Sequence, residues 1–290
     1  MSQTALTDFK VIVFDCYGTL ADWETGIYTA LQPLLARFPA SAGWTRKDAL
    51  LAFTEVERRL QTQHPGMLYR DLLAKAYEAL ADGLRAQDDP NPTSSASADF
   101  SGEGRAFGDS VREWGIFPDT CDALRVLEKH YKLVILSNVD HASFAYTHAK
   151  LSGSTDPADL ATYTRPPTTT ESTSTNAHWL PQTTPHSRSP FSLILTAQDT
   201  GAYKPDPRGM LAALRAIEGE FGVRKDRVLV VAQSLDHDVE PSSRLGVSGV
   251  WIDRKGACMG LQGIGEAPKW VRRFETLGEM AEAVENEVRA

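Results

Sequence analysis

Val11-Ile-Val-Phe-Asp-Cys-Tyr-Gly-Thr-Leu20 is the stretch that decides the fold. Its first four residues are apolar and largely β-branched, with none of the alternation of a half-exposed strand. They read as a central strand covered on both faces of a parallel sheet. Asp15 ends the run, in the crevice beyond the strand tips where open α/β sheets bind ligands. Gly18 allows a sharp turn, and Thr19 carries a hydroxyl and a backbone N–H toward whatever Asp15 holds. Cys16 points to the other side by the alternation of an extended chain and is read as packing.

Further apolar runs lie downstream at Tyr131-Lys-Leu-Val-Ile-Leu-Ser-Asn138, Phe191-Ser-Leu-Ile-Leu-Thr196, Val228-Leu-Val-Val-Ala232 and Gly249-Val-Trp-Ile252. Helical patterns alternate with them: one from Asp119, one from Pro207 through Leu214 and Ile217, one closing at Arg244 to Val247, and a terminal one that Thr276 caps. This βαβα order predicts an α/β fold, a doubly wound parallel sheet of Rossmann-like form.

The chain departs from that order directly after the first strand. Asp22 to Arg37, a stretch from Thr45 to the Pro65-Gly66 stop, and a third from Tyr69 to Leu84 carry apolar residues at helical spacing with no strand between them. Asp88 to Gly104 reads as a loop, and Ala106 to Trp114 as one more helix. The expected division is a discontinuous core domain, 1–21 and 116–290, with an inserted helical cap domain, 22–115. The segment 152–189 is dense in Thr, Ser and Pro and is expected to be a disordered surface insertion.

With 290 residues, a net charge of −8 and scattered Lys and Arg, the chain lacks the basic footprint of a nucleic-acid binder. No apolar run approaches the roughly 20 residues of a membrane span, and the first residues lack a basic start and an apolar signal core, so a cytoplasmic protein is expected. The three cysteines are too few and too widely spaced for a disulfide framework or a zinc site, and are read as free thiols. The expected partner is a small-molecule substrate, with no nucleic acid and no membrane; a homodimer is left open.

Collected at the strand ends, Asp15, Thr19, Ser137, Asn138, Lys204 and Asp238 form a constellation. Lys204 precedes Pro205, which biases it away from helix and fixes its address. An aspartate nucleophile divides one hard displacement into two easier steps. Lys204 would orient it, Thr19, Ser137 and Asn138 would offer donors to a substrate anion or oxyanion, and Asp238 would pair with Lys204 or orient water.

Phe14-Asp-Cys-Tyr-Gly-Thr-Leu20, Leu136-Ser-Asn138, Tyr203-Lys-Pro-Asp206 and Val231-Ala-Gln-Ser-Leu-Asp-His-Asp238 resemble, in order, the four motifs of the haloacid dehalogenase superfamily. The helical insert is similar to the cap of one of its branches. Phosphatases of that superfamily carry a second aspartate two positions after the nucleophile and acidic magnesium ligands in the fourth motif. Tyr17 and Gln233 stand in those places here. Both substitutions resemble the (S)-2-haloacid dehalogenase (type II) branch, which needs no metal.

The resemblance implies catalytic Asp15, Lys204 and Asp238, substrate-binding Thr19, Tyr17, Ser137 and Asn138, and no cofactor. It also implies displacement of halide by Asp15 and hydrolysis of the resulting aspartyl ester. In that branch a cap arginine is usual, for which Arg58 and Arg59 are the candidates; Met210 and Leu235 replace an aromatic residue and an asparagine. The alternatives are a magnesium-dependent phosphatase using Asp236 and Asp238, and a non-catalytic descendant.

Overall fold

A computed structural model describes residues 4–89, 99–153, 189–260 and 270–290. β1 (Val11–Phe14) lies in the middle of a six-stranded, all-parallel sheet. β2 (Ala21–Asp22) and β3 (Gly115–Ile116) form a separate antiparallel pair. The remaining sheet strands are β4 (Lys132–Ser137), β5 (Leu193–Thr196), β6 (Val228–Ala232), β7 (Ser248–Ile252) and β8 (Arg272–Phe274), and α6 (His141–Leu151), α7 (Ala197–Thr200) and α9 (Glu240–Arg244) fall between them in the chain. Their order is β5-β4-β1-β6-β7-β8, with Val13 opposite Val134 on one side and Val230 on the other.

Every residue of β1 is buried, and alternate residues enter different cores. Ile12 and Phe14, with Leu133, Ile135, Leu229 and Val231, join a core closed by α5 (Thr120–Leu127) and α10 (Leu277–Arg289). Val11 and Val13, with Val134, Leu136, Val228 and Val230, pack on Met210, Ala213 and Ile217 of α8 (Pro207–Phe221). Two covered faces explain why these strands show no polar alternation. Each fully buried aliphatic or aromatic side chain contributes about 1.5–3 kcal/mol, so the sheet centre is firmly held.

The insert is helical, as expected. α1 (Trp23–Leu35) begins at Asp22, whose side chain accepts from the Thr25 N–H. α2 (Arg46–Gln63) starts with a reciprocal cap between Thr45 and Asp48, followed by α3 (Tyr69–Asp88) and α4 (Ser101–Gly108). α4 begins five residues before the helix read at Ala106, and a 3₁₀ turn, Asp109–Glu113, completes that stretch. Gly26 lets α1 approach Trp114: a Cβ built there would fall 2.3 Å from the indole Cδ1. The β2–β3 pair joins the two ends of the insert to the core, and strands of two residues are too short to leave a periodic trace in the sequence. Of the Ser/Thr/Pro-rich segment, 154–188 lies outside the described residues.

Candidate active site

Because the sheet is parallel, the ends of β1, β4 and β6 reach one edge, and the loop before α8 brings Lys204 to it. The Lys204 ammonium makes three hydrogen bonds: to Asp15 Oδ1 at 2.7 Å, Asp238 Oδ1 at 2.7 Å and the Leu136 carbonyl at 3.0 Å. An ammonium has three protons, so its donors are all engaged. Burial alone would lower its pKa, but the two carboxylates outweigh that cost and hold it above the ordinary lysine range.

One cation serving two carboxylates leaves the more deeply buried one short of compensation. Asp238 is only 3% exposed; burial pushes its pKa up to about 7, the nearby Asp15 adds to the rise, and Lys204 opposes it. Its Oδ2 is buried and makes no hydrogen bond among the described residues.

Thr19 lies under the site instead of facing it. Its hydroxyl donates to Asp15 Oδ2 at 2.8 Å and accepts from the Gln233 N–H at 2.9 Å, while its own N–H donates to the Cys16 carbonyl. The turn that places it passes through Gly18 at φ 100°, a conformation that glycine adopts without strain. Arg254, from beyond β7, donates to the Thr19 carbonyl through Nε and Nη2 and to Asp119 through Nη1. It therefore clamps the turn from below. Cys16 is fully buried in the core, and burial raises its thiol pKa.

Asn138 forks onto the main chain of Lys204, accepting from its N–H at 2.6 Å and donating to its carbonyl at 3.1 Å. Ser137 is fully buried at the end of β4, does not border the cavity, and its hydroxyl has no hydrogen-bond partner among the described residues. Tyr17 borders the cavity; its hydroxyl shares a 2.9 Å hydrogen bond with Thr147 and its ring meets Trp114 edge-on. Asp15, Tyr17, Asn138, Lys204 and Asp238 thus surround one cavity of about 120 Å³, while Thr19 and Ser137 lie behind its wall.

A family model described as haloacid dehalogenase-like hydrolase matches residues 9–246. The chain belongs to the haloacid dehalogenase-like hydrolases. Among solved structures, it is similar to the L-2-haloacid dehalogenase RSc1362 (16% identity, 97% of this chain and 100% of the other, TM-score 0.64). It is also similar to the putative HAD-hydrolase YfnB from Bacillus subtilis (15% identity, 96% and 99%, TM-score 0.61). At these identities the likeness is one of fold. A curated relative, the phosphoserine phosphatase of Thermus thermophilus, is 39% identical over 64 residues, which are 22% of this chain. The chain spans about a quarter of that relative's length.

Phosphatases with these motifs hold magnesium through carboxylates, and in this haloacid dehalogenase-like hydrolase those beside Lys204 are already engaged in hydrogen bonds. Both Asp15 oxygens accept hydrogen bonds, Asp238 Oδ1 is held by Lys204, and Gln233 donates its amide to the Met259 carbonyl at 2.8 Å. Among the described residues no three His, Cys, Asp or Glu side chains are grouped to hold an ion. Hard cations favour several charged oxygens, and at the place of Gln233 the site offers a neutral amide.

The cap wall was not legible from motifs. Thr54, Glu57, Arg58 and Gln61 of α2 border the cavity with Tyr69 of α3 and Trp23 of α1. The spacing i, i+3, i+4, i+7 is the available signal, but a polar stripe of that kind is also the mark of a solvated helix face. Of the two arginine candidates, Arg58 borders the cavity, and Arg59 is exposed and does not. Met210 and Leu235 are buried in the core beneath α8, away from the cavity. Glu57 is half-buried; burial lifts its pKa to about 7, against the hydrogen bond that Tyr69 donates to Oε1 at 2.9 Å.

Proposed function

We propose that this hydrolase cleaves a carbon–halogen bond through Asp15, without a metal ion. The observation that carries the reading is what flanks Asp15. Where a phosphatase needs a carboxylic acid for the leaving group, Tyr17 turns its hydroxyl to Thr147, and where it needs a metal-binding carboxylate, Gln233 ties its amide to Met259. A halide departs with its bonding pair and requires no proton.

In this scheme an Asp15 oxygen forms a bond to the substrate carbon as the carbon–halogen bond breaks, inverting the centre and giving an aspartyl ester. Lys204 holds the attacking carboxylate in place and later faces the charge that develops on the ester oxygen. Water then adds to the ester carbonyl carbon, and its proton passes to Asp238, whose unpartnered Oδ2 and pKa of about 7 suit a base near neutral pH. Collapse of the adduct expels the product oxygen, which takes the proton of the newly formed Asp15 carboxyl group, giving an alcohol and the Asp15 carboxylate, and Asp238 returns its proton to solvent. Asn138 acts through the main chain of Lys204, and Thr19 through Asp15. Tyr17 supplies wall, and the buried Ser137 is assigned to the floor behind it.

A second reading, phosphate-ester hydrolysis, is favoured by the stretch shared with phosphoserine phosphatase and by Asp236 and Asp238 both bordering the cavity. One assay divides the two: halide release from 2-chloropropionate and 2-chloropropionamide in EDTA, against magnesium-dependent phosphate release from p-nitrophenyl phosphate. The dehalogenase reading expects halide in EDTA, lost in Asp15→Asn. Phosphate release that needs magnesium, with no halide from either compound, would overturn it.

A further inference from the structure

On the floor of the cavity one cation, Lys204, serves two carboxylates, and the roof adds further acid. Lys204 engages all three protons below, and among the described residues the only other permanent cation on the wall is Arg58, whose side chain is 53% exposed and lies 3.7 Å from Glu55. Against these two stand four acidic side chains among the described residues, Asp15, Glu57, Asp236 and Asp238, of which Glu57 and Asp238 are only partly charged near neutrality because burial holds both pKa values at about 7. The pKa of His237 is lowered, chiefly by its burial, so it adds little positive charge near neutrality. Among the described residues, a carboxylate entering here meets no buried cation with a free donor.

Glu57 offers the opposite. Tyr69 orients it through Oε1, and no described residue donates to Oε2, so an oriented acceptor borders the cavity on the cap side. We propose that Glu57 is a specificity-determining residue, accepting a hydrogen bond from the N–H of a carboxamide or ammonium group on the substrate. The substrate then presents such a group, and not a free carboxylate, to the cap. This deepens the dehalogenation reading and rests on it for the chemistry at Asp15. Burial holds the Glu57 pKa up at about 7, and bringing an N–H donor or a cation to the carboxyl would favour its charged, accepting form.

The test compares two substrates alike in leaving group and reacting carbon, 2-chloropropionamide and 2-chloropropionate, each with the wild type and Glu57→Gln. The wild type should prefer the amide by about 10- to 100-fold in kcat/KM, the factor of one hydrogen bond to a charged group, carried by KM. Glu57→Gln brings its own N–H donors, so the preference should collapse toward parity or reverse in favour of the carboxylate. A changed ratio between the two substrates is a readout that a merely misfolded variant, slow on both alike, does not give.

Binding of the corresponding alcohols, 2-hydroxypropionamide and lactate, measured by calorimetry, reads the same preference without turnover. No halide from either substrate, with a wild-type preference for 2-hydroxypropionamide that Glu57→Gln abolishes, would refute dehalogenation and uphold the role of Glu57. A wild-type preference for lactate and 2-chloropropionate, or a ratio untouched by Glu57→Gln, would overturn the proposal.

Discussion

Replacing Lys204 with methionine removes the one cation that Asp15 and Asp238 share. Both carboxylates lie 2.7 Å from its nitrogen, and Asp15, Lys204 and Asp238 are 7%, 7% and 3% exposed. Methionine preserves most of the stem but leaves two buried carboxylates facing one another. Removing one partner of a buried ion pair costs about 3–5 kcal/mol. The pair can relieve this by taking up a proton, so the loss depends on pH. In the wild type, Lys204 has a raised pKa, so its contribution is complete below the unfolded value of about 10.4 and does not change between pH 5 and 8.

In the variant, the carboxyl pair binds its proton more tightly folded than unfolded. Its stability is therefore greatest at low pH and falls as pH rises through the folded value. Urea unfolding midpoints at constant m should show a loss of about 3–5 kcal/mol at pH 8 and a clearly smaller one at pH 5. Adding Asp238→Asn should recover part of the pH 8 loss. A loss below about 1 kcal/mol at pH 8, the size of an exposed pair, or an equal loss at both pH values, would refute the reasoning.

Three more outcomes follow from named contacts. Thr19→Val removes the donor to Asp15 Oδ2 and the acceptor for the Gln233 N–H; kcat for halide release should fall about 10-fold or more, with stability lower by about 1–3 kcal/mol. Gly26→Ala forces a methyl against Trp114 and should cost about 1–3 kcal/mol in urea unfolding, whereas Gly43→Ala, with open space around it, should leave the midpoint no lower. Glu57 has a raised pKa, so the stability its protonated form gives is present below its unfolded value and is lost as pH rises through about 7. Glu57→Gln, which cannot ionise, should therefore gain about 1–2 kcal/mol relative to wild type between pH 5 and 8 in paired unfolding curves, after allowance for solvent at this half-buried site.

The sheet was legible because strands covered on both faces carry no polar residues to break their pattern: Val11–Phe14 and Val228–Ala232 stand out as apolar runs of full strand length. Lys204 could be located because Pro205 keeps it out of the following helix, and parallel strands bring Asp15 and Asn138 to the same edge. Other features left no local signal. Glu57 and Arg58 stand among charges that also mark a solvated helix, so only the fold reveals that their face closes over Asp15. Arg254 follows β7 as an ordinary strand-end charge, and its clamp on the Thr19 carbonyl spans 235 residues. The pairing of Asp238 with Lys204 was expected, but the single wide π turn at Leu235–Val239 that delivers it while putting Leu235 into the core left no trace in the linear motif.

The central claim is that Asp15 itself bonds to the substrate carbon, and isotope transfer tests it most directly. Repeated turnover of 2-chloropropionamide in ¹⁸O-water, followed by mass analysis of the peptide containing Asp15, should show label in that carboxylate. Water attacks the ester carbonyl carbon, and the oxygen leaving with the product comes from Asp15. In a single turnover with enzyme in excess, the product alcohol should then carry unlabelled oxygen. Label found in the single-turnover product, with the Asp15 peptide unchanged in mass, would contradict the account.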